Sequence, residues 1–369
     1  MPRRTGEWQS RQPSLADVAA LAGVSTQTVS RVVNGMGNVQ PDTRRKVERG
    51  LAELGYRAHS GARALATGKF GSLGVLCFDL TEFGNLQIVD EAIHQAQISG
   101  YAVYLGIVPD ATDADLQAAI RGLTDQSVDG LLVIEARILD TTSLRLPRDL
   151  PVVVTEGARD VPYAAVGADN AAGTRLAVEH LLDLGHPTVH HISGPPRSYP
   201  AVARLEAWRE TLADHGRAVP EPLAGDWSMA SGYRAARQLL RGAAPGSGAP
   251  GSGAPESGAA GAGPVTAVFA GNDQMAAGVL RAAADLGRRV PDDLSVAGYD
   301  DSEIAAYLVP ALTTVHQDLR GVARRCMDRL ISAVRGEASL APEVDLVAPA
   351  LVVRASTGPV RPGGPGTAS

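Results

Sequence analysis

Three planar, hydrogen-bonding side chains, Arg204, Asn272 and Asp300, each follow an apolar run or open a predicted helix. A guanidinium, an amide and a carboxylate together offer the paired donors and acceptors that match the vicinal hydroxyls of a sugar. Trp227 adds an apolar plane that suits the C–H face of a pyranose. The alternatives are a surface ion pair for Arg204 and a core position for Trp227. The residue types alone leave both interpretations open, and one of them is a small-molecule site of sugar-binding character.

A second polar group lies near the N-terminus, on the outer face of a predicted helix over residues 26–33. Its members are Thr26, Gln27, Ser30 and Arg31. A basic cluster follows at Arg44, Arg45, Lys46 and Arg49. Hydrogen-bonding groups beside a basic cluster favour nucleic-acid binding. The alternative is a three-helix interaction module without a DNA role.

The charge of the chain is divided unevenly along its length. The whole sequence carries a formal charge of −6, which argues against nucleic acid as a partner. Residues 1–70, however, hold 11 basic and 5 acidic residues, a net +6, while the remainder holds 23 basic and 35 acidic residues, a net −12. A basic N-terminal segment on an acidic body indicates a nucleic-acid-binding module, with a solvated basic surface as the alternative.

The rest of the sequence offers no catalytic or metal-binding constellation. The motifs of zinc proteases, nucleophile elbows, P-loops and dinucleotide-binding folds are absent. His186, His190 and His191 cluster near one apolar run, but Cys or carboxylate partners do not stand at ligand spacing. We therefore expect a packing or surface role for these histidines, no metal, no cofactor and no enzymatic activity.

Composition predicts a soluble protein of the reducing cytoplasm. The length of 369 residues, with 44% hydrophobic and 20% charged residues, is typical of two or three globular domains. Cys77 and Cys326 are too few and too far apart for a disulfide framework. The N-terminus is polar, and no apolar run reaches the roughly 18 residues of a membrane span, so neither a signal peptide nor a transmembrane helix is expected.

Capping and turn signals define the helices that would carry the N-terminal polar face. Ser14 begins a capping-box signature ahead of an apolar periodic segment, and Gly23 ends that segment where a positive φ permits a tight turn. Ser25 can cap a second helix, and a third can begin at Pro41. Two short helices joined by a glycine turn, then a third, predict a helix-turn-helix domain.

Short β-type runs alternate with amphipathic stretches through the body of the chain. The β-type runs lie at 73–78, 102–108, 128–134, 151–155, 189–193, 265–270 and 294–299. The helical stretches lie at 86–99, 114–126, 174–184, 203–215 and 274–286. This alternation predicts an α/β fold of doubly wound parallel sheets, with enough units for two. Residues 242–264, rich in Gly, Ala, Pro and Ser, predict a flexible surface insertion, with a partner-binding segment as the alternative.

The N-terminal residues 14–34, with the sequence SLADVAALAGVSTQTVSRVVN, resemble the DNA-binding domain of the LacI/GalR family of transcriptional regulators. Further motifs typical of this family stand at 43–47, 54–56, 62–65, 169–186, 272–276, 298–301 and 312–315, so the resemblance spans roughly residues 14–355. It implies a helix-turn-helix domain followed by a core like that of periplasmic sugar-binding proteins. Such a core has two parallel-sheet subdomains joined by crossing strands, with a ligand between them.

These expectations give a set of domain boundaries. A disordered tail (1–13) precedes the helix-turn-helix domain (14–58), a hinge helix (59–69), the effector-binding core (70–358) and a second disordered tail (359–369). Within the core, the first subdomain is expected at about 70–168 and 301–325, and the second at about 169–300 and 326–358.

The resemblance also implies roles for residues of the DNA-binding segment. Thr26, Gln27 and Arg31 would face base edges in the major groove, where Gln pairs with adenine and Arg with guanine. Side chains that would contact phosphates are Ser25, Thr28, Ser30, Asn34 and Tyr56. Leu65 would be an apolar wedge inserted from the minor groove, with a linker residue packed on the core as the alternative. The family's usual Pro-Asn is replaced by Ala58-His59, and we expect a less sharply defined start of the hinge helix here.

In the core, the resemblance implies an effector site. Alignment with a sugar-responsive member of the family adds Glu156, Ser198 and Gln317 to Arg204, Trp227, Asn272 and Asp300. The implied function is a repressor of sugar-utilisation genes that a galactoside-like or other small glycoside releases from a pseudo-palindromic operator. The alternatives are a sugar-binding transport-type protein and a corepressor-dependent regulator that responds to a non-sugar metabolite. The Gly- and Pro-rich end of the chain cannot form a leucine heptad helix, so a homodimer is expected rather than a tetramer.

Overall fold

The computed structural model describes residues 13–33, 39–56, 69–78, 80, 83–108, 112–134, 146, 150–155, 163–242 and 264–361. The chain divides into two compact units, Met1–Gly71 and Ser72–Ser369, which we call the head and the core.

The described part of the head contains the helices α1 (Leu15–Ala22), α2 (Thr26–Val33) and α3 (Pro41–Leu54). The capping box predicted at the start of α1 is confirmed, because the Ser14 hydroxyl accepts from the Asp17 N–H and the Ser14 N–H donates to Asp17 Oδ2 at 2.8 Å. Gly23 ends α1 with a φ of 65°, a conformation that glycine adopts at low cost. The turn into α2 is therefore dictated by local sequence.

A small apolar core holds the three helices together. Val18, Val29 and Val47 come from α1, α2 and α3 respectively, and all three are fully buried. Complete burial of a valine side chain stabilises a fold by about 1.5–3 kcal/mol. The predicted helix-turn-helix domain is confirmed.

The first subdomain of the core is built on a parallel sheet. Its strands are β1 (Ser72–Cys77), β2 (Ala102–Ile107), β3 (Leu131–Ile134), β4 (Val152–Thr155), β5 (Ala164–Ala168) and β11 (Val344–Val347), in the order β11-β5-β4-β3-β1-β2. The helices α4 (Phe83–Ile98), α5 (Asp113–Asp125) and α10 (Leu319–Arg335) pack against it. Strands β1, β3, β4 and β5 are buried along their whole length, which is typical of parallel strands covered on both faces.

The second subdomain repeats this plan. Its strands are β6 (His190–Ser193), β7 (Leu223–Ala224), β8 (Ala267–Ala270), β9 (Ser295–Asp300), β10 (Thr313–His316) and β12 (Ala350–Val352), in the order β12-β10-β9-β8-β6-β7. Only the β10–β12 pair of this described sheet is antiparallel. Its helices are α6 (Asn170–Asp183), α7 (Tyr199–Asp214), α8 (Met229–Gly242) and α9 (Asp273–Asp285). One apolar cluster lies with α8 and α9, and another with α6 and α7, so the predicted doubly wound α/β fold is confirmed.

The described chain crosses between the two subdomains after β5, after β10 and after β11. The expected subdomain boundaries are wrong in the C-terminal third. Residues 301–316 belong to the second subdomain, because β10 pairs with β9. Residues 326–347 belong to the first, because α10 packs against α4 and β11 pairs with β5. Strand pairing decides these assignments, and sequence order alone did not reveal it.

The expectation of a disordered tail over 359–369 is wrong for residues 359–361, and residues 362–369 lie outside the described residues. The Val360 N–H donates to the Leu184 carbonyl at 3.0 Å, and Arg361 forms an ion pair with Asp292. The predicted N-terminal tail up to residue 12, the predicted hinge helix (59–69) up to residue 68 and nearly all of the predicted insertion lie outside the described residues. No helix in the described ranges is long and apolar enough to cross a membrane.

Candidate nucleic-acid interface and small-molecule site

Helix α2 presents the predicted base-reading side chains to solvent. Thr26, Gln27 and Arg31 are all exposed, whereas Val29 and Val32 on the other side of the helix are buried in the head core. Packing of the valines therefore fixes which face of α2 points outward. An exposed amide and an exposed guanidinium one turn apart on a short helix can meet base edges in a major groove.

The predicted phosphate-contacting residues take different positions. Ser25 caps α2, since its hydroxyl accepts from the Thr28 N–H at 3.1 Å and lies 2.9 Å from the Thr28 hydroxyl. Ser30 is half-buried, and Tyr56 packs against the head core. Asn34 and Leu65 lie outside the described residues. Ser25 and Thr28 thus stabilise the N-terminus of α2, in addition to carrying the hydroxyls predicted to contact phosphates.

The basic cluster of the head lies on α3. Arg45, Lys46 and Arg49 are exposed, and Arg44 is half-buried. Arg45 also forms an ion pair with Asp42 at the start of the helix, where both side chains are largely in solvent. Such an exposed pair contributes little to stability, so Arg45 can exchange Asp42 for a phosphate.

Arg204 is the centre of the candidate small-molecule site in the core. It lies on α7 and is only 4% exposed. Its Nε donates to Asn170 Oδ1 at 2.9 Å, and its Nη1 donates to the Gly271 carbonyl at 2.5 Å and lies 3.5 Å from Asp300 Oδ1. The guanidinium carbon also lies 3.7 Å from the centroid of the Tyr299 ring. These contacts fix the plane of the guanidinium, which suits it to directional hydrogen bonding.

Asp300 connects Arg204 to the second crossing segment between the subdomains. Its Oδ1 accepts from Gln317 Nε2 at 2.8 Å, so Arg204, Asp300 and Gln317 form one buried polar chain. Asp300 ends β9 with a φ of 110°, a conformation that side-chain-bearing residues rarely adopt. Gln317 follows β10 directly, at the point where the chain leaves the second sheet. The site therefore touches the segment that joins the two subdomains.

Trp227 lies over glycine backbone at the same edge of the sheet. A Cβ atom added to Gly194 would fall 2.2 Å from its indole ring, and one added to Gly271 would fall 3.1 Å from it. Trp227 has a φ of 69°, and its carbonyl accepts from Asn272 Nδ2 at 3.1 Å. The Arg204 guanidinium carbon lies 5.7 Å from the ring centroid. An aromatic plane thus stands beside a fixed cation.

Two polar atoms of the predicted site are buried without a hydrogen-bond partner among the described residues. They are Ser198 Oγ, at the N-cap of α7, and Gln317 Oε1. An unsatisfied buried polar atom costs free energy unless a ligand or water meets it. Asn272, in contrast, uses its side chain within the protein, because its Oδ1 also caps α9 by accepting from the Met275 N–H at 2.9 Å. Glu156 lies outside the described residues.

Three residues of the site were not predicted from sequence. Asn170 and Tyr299 hold Arg204, and Gly194 makes room for Trp227. Asn170 and Tyr299 stand inside or beside the quoted family motifs, but their contact with Arg204 joins distant parts of the chain. A sequence signal for Asn170 and Tyr299 would have been their positions near the carboxyl ends of β5 and β9, where ligand sites of parallel sheets lie.

The three clustered histidines are all buried. His191 stacks on Phe269 with a centroid distance of 5.0 Å, and burial lowers its pKa to about 4. His186 lies near Ser295 and Thr266, its ring nitrogens 3.0 Å from each hydroxyl, and its pKa is also lowered by burial. Groups of three or more His, Cys, Asp or Glu that could hold a metal do not occur in the described part of the chain.

Comparisons with known proteins identify both units. The profile of the "Bacterial regulatory proteins, lacI family" matches residues 14–59, and that of the "Periplasmic binding protein-like domain" matches residues 178–357. The chain is 35% identical over 332 residues to the Lactose operon repressor of Escherichia coli (strain K12), covering 88% of this chain and 86% of that protein.

Two solved structures are similar along nearly the whole chain. The lac repressor dimer bound to operator and the anti-inducer ONPF gives a TM-score of 0.82 at 32% identity, covering 94% of this chain and 100% of that chain. The complex of the transcriptional regulator CelR with cellobiose gives a TM-score of 0.66 at 30% identity, covering 93% of this chain and 99% of that chain.

Proposed function

Because the chain belongs to the lacI family of bacterial regulatory proteins, we propose that it is a transcriptional repressor whose affinity for its operator is set by a small sugar. The observation that carries this proposal is the buried chain of Arg204, Asp300 and Gln317 beside the Trp227 ring. A fixed cation, a carboxylate, an amide and an aromatic plane match the hydroxyl edge and the apolar face of a pyranose.

The head reads DNA through α2. Gln27 pairs with adenine and Arg31 with guanine, and each such pair contributes about 1–3 kcal/mol of discrimination against a wrong base. The cations of α3 neutralise phosphates and add affinity that does not depend on sequence. Ser25, Thr28, Ser30, Asn34 and Tyr56 set the orientation of the head, and Leu65 wedges into the minor groove at the centre of the operator.

The effector is a small glycoside bound at the carboxyl edge of the second sheet. Arg204, Asn272, Asp300 and Gln317 contact its hydroxyls, and Trp227 covers its apolar face. Ser198 and Glu156 complete the polar lining. Supporting this assignment, the Ser198 and Gln317 side chains each bury an oxygen that lacks a protein partner among the described residues, as a site awaiting polar ligand atoms would.

The sugar acts by shifting a population of conformations. A ligand can change DNA affinity only if it binds one arrangement of the protein better than another. Gln317 lies on a crossing segment, so a sugar that contacts it favours one relative position of the two subdomains. That position separates the hinge segments of two subunits and releases the operator.

The protein works as a homodimer, since two heads related by a dyad match a pseudo-palindromic site. It acts in the cytoplasm.

DNA reading is tested by fluorescence anisotropy with duplexes from the region upstream of the protein's own gene. Gln27→Ala should lower the ratio of specific to scrambled-duplex affinity by about tenfold or more, because one base-reading pair is lost. Lys46→Ala is the control, and it should weaken binding to every duplex and reduce the salt dependence. Equal discrimination in the two variants would contradict base reading by α2.

Effector binding is tested by repeating the operator titration with lactose, cellobiose, melibiose and methyl β-galactoside. Release of the wild-type protein by one of these sugars, lost in Arg204→Lys, is the expected result, because lysine lacks the fixed fork that holds paired oxygens. Tighter operator binding with sugar would instead indicate a corepressor. Unchanged affinity with every sugar would count against a sugar effector.

A further inference from the structure

Asp273 is a fully buried carboxylate that the effector site itself does not use. It opens α9, directly after the capping residue Asn272, and is 0% exposed. Burial raises its pKa to about 6, so a charged carboxylate at this position opposes folding at neutral pH. A packed apolar residue would avoid this cost. The position therefore calls for a role beyond stability.

The carboxylate is held by donors from two other parts of the second subdomain. Oδ2 accepts from the Ser302 N–H at 2.7 Å and from the Ser302 hydroxyl at 2.8 Å. Oδ1 accepts from the Thr314 hydroxyl at 2.5 Å. A Cβ atom added to Gly298 would lie 2.4 Å from Oδ1, so that glycine makes room for the carboxylate. Asp273 thus joins α9 to β10 and to the turn after β9.

The turn after β9, residues 300–302, is unfavourable without outside support. Asp300 and Asp301 have φ values of 110° and 50°, two successive non-glycine residues in the left-handed region. The Asp301 N–H donates to the Thr314 hydroxyl at 3.3 Å, so the same hydroxyl serves both Asp273 and the turn. The backbone of the turn is consequently pinned by Asp273 and Thr314.

A second set of contacts pins the Asp301 side chain. Its Oδ1 accepts from Arg354 Nη2 at 2.6 Å, and its Oδ2 lies 3.1 Å from His316 Nδ1. The turn is therefore held on its backbone side by Asp273 and on its side-chain side by Arg354 and His316. These contacts fix the direction of the Asp300 side chain, whose carboxylate contacts Arg204 and Gln317.

Asp273 also connects this turn to the other half of the site. The preceding residue, Asn272, caps α9 through its Oδ1 and holds the Trp227 carbonyl through its Nδ2. The start of α9 therefore contacts Trp227 through Asn272 and the 300–302 turn through Asp273. Two adjacent residues, Asn272 and Asp273, thus contact the two halves of the site.

We propose that Asp273 is a positioning residue for effector binding, which holds the 300–302 turn so that the Asp300 carboxylate faces the ligand together with the Trp227 plane. This inference rests on the proposed function and deepens it. Asp273 does not touch the effector. It acts through Asp300, so its effect on affinity depends on the Asp300 carboxylate being present.

The first measurement needs no ligand. Amide hydrogen exchange of the full chain is compared for wild type, Asp273→Asn, Thr314→Val and Thr314→Ser. Asparagine and valine should speed exchange of the Asp301 and Ser302 amides by about tenfold or more, because their hydrogen bonds are weakened or lost. Serine keeps the hydroxyl and should retain slow exchange. If Asp273→Asn does not fold, the valine and serine pair decides the question alone.

The second measurement is calorimetric titration with lactose, cellobiose, melibiose and methyl β-galactoside. For the sugar that binds wild type, Asp273→Asn should weaken binding on the order of tenfold. In an Asp300→Asn background the same change should weaken it by less than about twofold, since coupled residues are not additive. Asp285→Asn, at the exposed end of α9, is the charge control and should bind like wild type.

The outcomes separate this inference from the proposed function. Equal weakening in the wild-type and Asp300→Asn backgrounds would show a general loss of structure and overturn the positioning role. Unchanged exchange at 301–302 in both Asp273→Asn and Thr314→Val would also overturn it. Failure of every sugar to bind wild type would count against the proposed effector, while the exchange data would still decide whether Asp273 and Thr314 hold the turn.

Discussion

Replacement of Gly194 by alanine tests whether the Trp227 plane belongs to the effector site. The new Cβ would lie 2.2 Å from the indole ring, and an ordinary contact begins near 3.4 Å, so the ring must retreat by about 1.2 Å. Overpacking of this kind costs about 1–3 kcal/mol. Because the strand below Gly194 is buried, we expect the ring, rather than the strand, to move.

The displaced ring can no longer cover a sugar held by Arg204. We expect calorimetric affinity for the effector sugar to fall by about tenfold or more, since a loss of about 1.4 kcal/mol corresponds to a factor of ten. Acrylamide quenching of tryptophan fluorescence, measured without sugar, should increase as the Trp227 indole moves away from residue 194.

Two other glycines supply controls. Gly130→Ala should lower the melting temperature, because its Cβ would lie 2.8 Å from Val334 in the first subdomain, but it should leave sugar affinity unchanged. Gly122→Ala, on α5, meets nothing within 4 Å and should be neutral or slightly stabilising. If Gly130→Ala weakened the sugar as much as Gly194→Ala, general destabilisation would explain both results and the role of Trp227 would be refuted.

Three further predictions concern stability and assembly. Between pH 4 and pH 6, Asp273 binds a proton more readily in the folded than in the unfolded chain, because its pKa is raised to about 6. His191 binds a proton less readily in the folded than in the unfolded chain, because its pKa is lowered to about 4. Acidification therefore adds stability through Asp273 and removes it through His191. In Asp273→Asn the melting temperature should fall more steeply than in wild type over this range, and equal slopes would contradict the assignment. Ser14→Ala should destabilise the head by about 1 kcal/mol through loss of its cap, measured by the exchange of α1 amides, whereas Ser14→Asp should restore protection. Light scattering after gel filtration should give the mass of a dimer, and a stable tetramer would contradict that expectation.

Local signals were sufficient to predict most of the head. The Ser14 capping box, the Gly23 turn and the Pro41 helix start each act within one or two turns of the chain, and all three are present in the structure. The alternation of apolar and amphipathic segments likewise predicted the doubly wound core, because burial on both faces leaves a continuous apolar run.

Elements with weak local signals were missed. The strand Ala164–Ala168 is rich in alanine and glycine, and Leu223–Ala224 has only two residues. Their strand geometry comes from neighbours in the sheet, which a single sequence does not display. The helix Leu319–Arg335 was divided between two subdomains for a similar reason, since nothing in its composition states which sheet it covers.

The chemical types of the site were predicted, but the connections were not. Arg204, Asp300 and Gln317 were each named from sequence, and the structure brings them together as one polar chain. That Asn170 and Tyr299 would hold Arg204 could not be predicted, because these contacts depend on how β5, α7 and β9 meet in space. The Asn272 amide forms hydrogen bonds within the protein through both Oδ1 and Nδ2, which its residue type alone did not predict.

The crossings between subdomains have a consequence for building chimaeras of this protein. Strand β11 belongs to the first sheet, and β12, which begins after only two intervening residues, belongs to the second. Neither subdomain is therefore one continuous stretch of sequence. A graft that replaces residues 72–168 alone would leave α10 and β11 packed against a foreign partner. Exchange of the first subdomain between relatives therefore requires segments 72–168 and 319–347 to be transplanted together, and a single cut in any of the three crossings would release no foldable fragment.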